Sequence, residues 1–169
     1  SMVEERVAPR LEALLARGVE VGYCARPGQV DVRLTASGPR AAELVRQAGE
    51  IAHAELAGSI YSTGNEEIEE AIVRLLTERR QTLALAESCT GGCVGHRLTN
   101  VPGASASLLA DLVTYSNQAK QKFLEVDSNL LATYGAVSEP VARQMAEGAL
   151  SQTGADYGLS LTGIAGPGG

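Results

Sequence analysis

TLALAESCTGGCVGHRL, residues 82–98, is the stretch on which the reading of this chain turns. Leu83 to Ala86 make a short apolar run of the kind that fills a core strand. Glu87, Ser88, Cys89, Thr90, Gly91 and Gly92 then place a carboxylate, two hydroxyls, a thiol and two glycines at its exit. A helical pattern resumes in GGCVGHRLT, so the polar cluster occupies a strand-to-helix turn. Backbone N–H groups are free to point outward at such a turn, and α/β sheets carry their functional loops at this end of their strands.

The same texture recurs downstream. SLLADLVTYS reads as a second buried strand ending in Thr114, Tyr115, Ser116 and Asn117, with Lys120 one helical turn further on. ADYGLSLTG reads as a third, ending in Thr162 and Gly163, with Gly166 beyond. NEEIEEAIVRLLTERR, NQAKQKFLE, SNLLATYG and SEPVARQMAEGALSQTG are helical. The first of these has Asn65 as its expected N-cap, glutamates early and arginines late, matching the helix dipole. Strands alternating with helices predict a layered α/β domain with helices on both faces of the sheet, over residues 65–169. If the strands are parallel neighbours, their three polar exits converge on one rim.

Upstream, Val3 to Gly18 has apolar residues at Val7, Leu11, Leu14 and Leu15, a helical spacing. VEVGYCA and QVDVRLTA alternate around RPGQ and predict a hairpin. PRAAELVRQAGEIAHAELAG is a second amphipathic helix, and SIYS is expected to add a strand. Residues 3–64 therefore read as a small α-β-β-α-β unit of KH-like arrangement. Its RPGQ lies between strands, so no GXXG loop is available to clamp nucleotides. With seven Arg, no Lys and eight acids it is not basic either, which leaves a spacer or docking role.

Composition excludes several classes. The net charge is −6 with scattered basic residues, so a nucleic-acid footprint is missing. No apolar run reaches the ~20 residues of a membrane span, and no secretory signal is present. Three cysteines, an odd number without framework spacing, fit a reducing cytoplasm. Ser1 and Met2 look like a cloning remnant, and the final glycine-rich loop suggests that both ends are cut from something longer.

The rim suits acyl transfer. Ser88 sits where the amides of Cys89 to Gly92 can serve as oxyanion donors. A serine nucleophile needs a base. His53 lies in the other unit, and His96 falls about two helical turns past Ser88, too far to bond it. Lys120 is the remaining candidate, since burial lowers a lysine pKa and Ser-Lys pairs are a variant of triad chemistry. Each residue also has an ordinary reading: Ser88 or Thr90 as a helix cap, Lys120 as a surface lysine, Tyr115 and Thr162 as hydroxyls bonded to backbone, Glu87 as a second base or as a brace for the turn. Cys89, Cys93 and His96 supply three soft ligands without a visible fourth, so no metal is assigned.

AESCTGG, HRLTNVPGAS, TYSNQAK, YGAVSEPVARQMAEGA and DYGLSLTGIAGPGG together resemble the C-terminal domain of the CinA family of competence/damage-inducible proteins. The likeness covers about residues 66–169, and residues 3–64 resemble the small middle domain that precedes it. The resemblance implies an amidohydrolase that deamidates nicotinamide mononucleotide to nicotinate mononucleotide. Ser88 would be the nucleophile and Lys120 its base, with Tyr115 and Thr162 assisting proton transfer and positioning. Cys89, Thr90 and Gly91 would surround the oxyanion; Asn117, Gly163 and Gly166 would bind substrate. No cofactor is implied. The family domain continues past GPGG with further strands and a helix that complete its pocket. The alternative is a non-catalytic nucleotide-sensing or protein-docking module. Open strand edges suggest a homo-oligomer, with a dimer expected.

Overall fold

The computed structural model describes residues 2–166 and divides the chain into two units, Ser1–Thr63 and Gly64–Gly169. In the first, α1 (Met2–Leu15) is followed by the antiparallel strands β1 (Val19–Arg26) and β2 (Gln29–Ala36), then α2 (Ala41–Glu55). Arg26 pairs with Gln29 across the Pro27-Gly28 turn. The helices supply Val7, Leu11 and Leu14 on one side and Leu44, Ala48 and Ala52 on the other, the spacing of three or four that stacks side chains on one helical face. The expected strand at SIYS does not form. The Ser59 N–H closes a turn on the Leu56 carbonyl, and Ile60 packs against the core from irregular backbone.

The second unit runs α3 (Ile68–Arg79), β3 (Leu83–Glu87), α4 (Cys93–Thr99), a 3-10 turn (Ala104–Ala106), β4 (Leu108–Val113), α5 (Asn117–Leu124), α6 (Ser128–Tyr134), α7 (Glu139–Thr153) and β5 (Tyr157–Leu161). Its N-cap is Glu67, not the expected Asn65. Glu67 has extended backbone (φ −74°, ψ 158°), and its N–H donates to the Glu70 carboxylate at 2.8 Å. That reciprocal arrangement, a capping box, satisfies the first turn two residues later than an asparagine cap would.

The three strands are parallel in the order β4-β3-β5, so β3 is central and every one of its residues is buried. Strand side chains alternate between faces, which sorts this core into two layers. Ala84 and Ala86 pack with Leu124, Val141, Met145 and Ala149 from α5 and α7. Leu83 and Leu85 pack with Val73 of α3, Leu98 of α4 and Ala104. Helices thus cover both faces, and the small alanines of β3 let α7 lie close. Among the described residues no helix is long and apolar enough to cross a membrane.

Two hydrogen bonds extend the ladder past the strands: Ser88 N–H to Leu161 O at 3.0 Å, and Thr114 N–H to Glu87 O at 2.8 Å. They bring the polar exits of all three strands to one rim.

Candidate active site

Ser88 is the first residue beyond β3 and is 6% exposed. Lys120, in the first turn of α5, is 1% exposed, and its Nζ lies 2.9 Å from Ser88 Oγ. The other contacts of this nitrogen are the backbone carbonyls of Thr114 at 2.8 Å and Tyr115 at 3.3 Å. As an ammonium, Lys120 donates to all three oxygens. As an amine, its two hydrogens stay with the two carbonyls, which can only accept, and its lone pair is left facing the Ser88 hydroxyl. Burial pushes the Lys120 ammonium below its ordinary range, and the neighbouring Cys89 thiol opposes this more weakly. Among the described residues no carboxylate pairs with it, so desolvation of the charged form prevails over these weaker contacts. α5 is aimed into this position by its cap, Ser116, whose Oγ accepts the Ala119 N–H at 3.1 Å.

The turn after Ser88 is braced from inside. Glu87 is 0% exposed; its Oε2 accepts the Gly92 N–H at 3.0 Å and its Oε1 the Gly95 N–H at 2.7 Å. Burial alone would raise this carboxyl. The Thr90 hydroxyl and the amides of Gly95, Val94 and Gly92 outweigh it and hold the group below its usual value. The Thr90 Oγ1 is itself buried beside this carboxylate, without a hydrogen bond of normal geometry. Of the two roles open to Glu87, the bonding matches the brace: both oxygens are occupied by amides. Gly92, the N-cap of α4, has φ +97°, a conformation that favours glycine.

The bonding also redistributes the oxyanion donors. The Gly91 N–H, expected among them, instead donates to the Ser88 carbonyl at 3.1 Å, because the tight turn folds it back on itself. The Gly92 N–H is held by Glu87. Among the described residues no hydrogen bond engages the backbone N–H of Cys89 or Thr90, which leaves these two beside Ser88.

The other sequence candidates are placed unevenly. Tyr115 is 68% exposed and reaches Lys120 through its carbonyl, not its phenol. Thr162 lies one step past Leu161, the partner of Glu87 in the ladder, but its hydroxyl donates to the Ala136 carbonyl at 2.8 Å. Gly163 faces the Cys89 sulfur, which a Cβ there would meet at 3.1 Å. Asn117 opens α5 at the surface, and Gly166 is exposed. His96 is exposed on α4, its ring 3.5 Å from the Asn100 amide. The sequence reading missed Asp111, a lone acid in the apolar LLADLV strand, and that isolation was its only signal.

A layered α/β domain with a buried serine–lysine pair at the carboxyl end of its central parallel strand is the class that fold and site define. The chain belongs to the CinA family: residues 65–169 match the CinA C-terminal domain. It is similar to a CinA-like protein of Chlorobaculum tepidum, 45% identical over 94% of this chain and 38% of that protein. Another from Akkermansia muciniphila is 47% identical over 90% of this chain and 36% of its own length. The chain thus spans well under half the length of these relatives. Among solved structures it resembles the competence/damage inducible protein CihA from Agrobacterium tumefaciens, at TM-score 0.59 and 43% identity over 64% of this chain and 67% of that one. A CinA superfamily protein from Escherichia coli gives TM-score 0.58 at 38% identity, over 59% and 58% of the two chains.

Proposed function

We propose that this chain is an amidohydrolase that deamidates nicotinamide mononucleotide to nicotinate mononucleotide and ammonia. The observation that carries the reading is the buried contact of 2.9 Å between Lys120 Nζ and Ser88 Oγ. An amine whose remaining hydrogens are held by carbonyls is a proton acceptor already oriented at the hydroxyl.

In this mechanism Ser88 Oγ attacks the carboxamide carbon as its proton passes to Lys120. The oxyanion so formed takes the N–H groups of Cys89 and Thr90. Lys120 returns the proton to the departing nitrogen and ammonia leaves, with the acyl group esterified to Ser88. Water, deprotonated by the same amine, then cleaves the ester and releases the acid, while Lys120 returns the proton to Ser88 Oγ. The Thr114 and Tyr115 carbonyls keep Lys120 aimed throughout. Thr162 contributes by tethering the strand end to Ala136, while Asn117, Gly163 and Gly166 contribute to substrate binding. The choice of a pyridine nucleotide amide follows the likeness to the CinA family, and the acyl-transfer chemistry follows the pair itself.

The test is ammonia release from nicotinamide mononucleotide, with nicotinate mononucleotide measured beside it. Equal amounts of both, lost in Ser88→Ala, are expected. Saturable binding of the nucleotide without its consumption would replace the reading with a non-catalytic sensing module.

A further inference from the structure

Asp111 is the one acid of β4, and its neighbours in LLADLV are all apolar. The parallel register sets it beside Leu85 and so diagonal to Glu87, on the face of the sheet that α4 covers. Its carboxyl occupies the room left by a missing side chain: a Cβ on Gly95 would sit 2.1 Å from Asp111 Oδ2. Its Oδ1 is buried without a protein donor. The same Gly95 gives its N–H to Glu87 at 2.7 Å. A buried and a partly buried carboxyl group therefore come together under one helix start, and like charges so placed repel.

We propose that Asp111 and Glu87 share a single proton, carried by Asp111 and donated to Glu87, and that this pair positions the turn bearing Ser88. With the proton present, Glu87 is an anion that takes the Asp111 hydroxyl in addition to its amide donors. Loss of the proton to solvent leaves two carboxylates with no hydrogen to share. Asp111 then moves off Gly95, and the Glu87 brace on residues 88–95 loosens. The titratable groups facing the pair are few. β3 presents Glu87, α4 presents the uncharged Gly92 and Gly95, and the titratable Cys93, His96 and Arg97 of α4 are exposed, Arg97 being paired with Glu69 of α3. Burial and the Glu87 charge together push the Asp111 carboxyl up to about 6.

Asp111 is thus a positioning residue. Its effect on turnover rests on the amidase reading, whereas the shared proton does not. The amide signals of Gly92 and Gly95 report on the pair by NMR between pH 4.5 and 8. Both should move together in one step with a midpoint near 6 in the wild type. In Asp111→Asn, which keeps a donor but cannot titrate, both should stay at the low-pH position throughout. Flat signals in the wild type, or a step that survives in Asp111→Asn, overturn the proposal. Where deamidation is measurable, Asp111→Asn should remove a kcat change centred on the same pH and leave KM within about twofold. A KM change with an unaltered kcat profile would contradict the positioning role. Absence of deamidation in every variant would count against the amidase reading, while the NMR step decides the pair by itself.

Discussion

The two units bury different kinds of material. In the first, the buried residues are apolar without exception among those described: Val7, Leu11, Leu14, Val19, Leu44, Ala48, Ala52 and Leu56. Its charges stay outside, as where Arg46 pairs with Glu43 at 2.8 Å and Glu50 at 2.6 Å on exposed α2. The second unit buries Glu87, Ser88, Ser107, Thr114 and Lys120; three of these five stand at the carboxyl ends of β3 and β4, and Lys120 reaches the same rim from α5. Burying a charge without a partner is costly, so a fold selected for stability alone would not gather them there. The difference separates a unit built to hold together from one that accepts buried polar groups at the rim of its sheet.

The largest effect is expected where that rim is broken. Lys120→Ala should lower kcat for deamidation by about 10³-fold or more, as for other catalytic units that lose their base. Lys120→Arg should not rescue it, because a guanidinium stays protonated. Steady-state kinetics beside circular dichroism would show lost activity on an intact fold.

A second way to sharpen the contrast is to fill the space at Gly95. Gly95→Ala drives a Cβ into Asp111 and should cost about 1–3 kcal/mol by chemical denaturation. Asp111→Ala removes the clashing carboxyl, so the double mutant should recover part of that loss. Strict additivity would argue that the two residues do not meet.

The pH dependence has a definite sign at each group. Asp111, raised to about 6 from 3.8, binds its proton more tightly in the folded state, so its stabilising contribution is full below 3.8 and is lost as pH rises through 6. Asp111→Asn should therefore be more stable than wild type at pH 7–8. The gain should be about 1 kcal/mol once solvent screening of a partly buried group is allowed for. Lys120, lowered from 10.5, becomes a free amine as pH rises, so kcat/KM should climb with a midpoint below 10.5. A thermal melt and a rate profile over the same buffers check both.

The smallest effect belongs to the first unit. Arg46→Ala breaks exposed ion pairs and should change stability by no more than about 0.5 kcal/mol, with deamidation untouched.

The layered domain was legible because LALA and its polar exit mark a buried strand and its functional end without any tertiary knowledge. Ser88 and Lys120 were legible as residue types, and their family likeness singled them out from the ordinary readings of a cap and a surface lysine. Other features depend on contacts that no local pattern carries. Tyr115 meets Lys120 through a carbonyl that every residue has, and the Gly91 N–H is spent within its own turn. Asp111 becomes a neighbour of Glu87 only after β4 aligns beside β3 and Gly95 leaves it room. SIYS has strand-like residues, but a strand requires a partner edge, and the Ser59 turn removes it.

The most direct test is an acid-quenched single turnover with nicotinamide mononucleotide, followed by intact mass and peptide mapping. An acyl adduct on Ser88 that forms with ammonia release, and is absent from an inactive Ser88→Ala, is the predicted result. Ammonia released by Ser88→Ala at the wild-type rate, with nothing attached at residue 88, would contradict it.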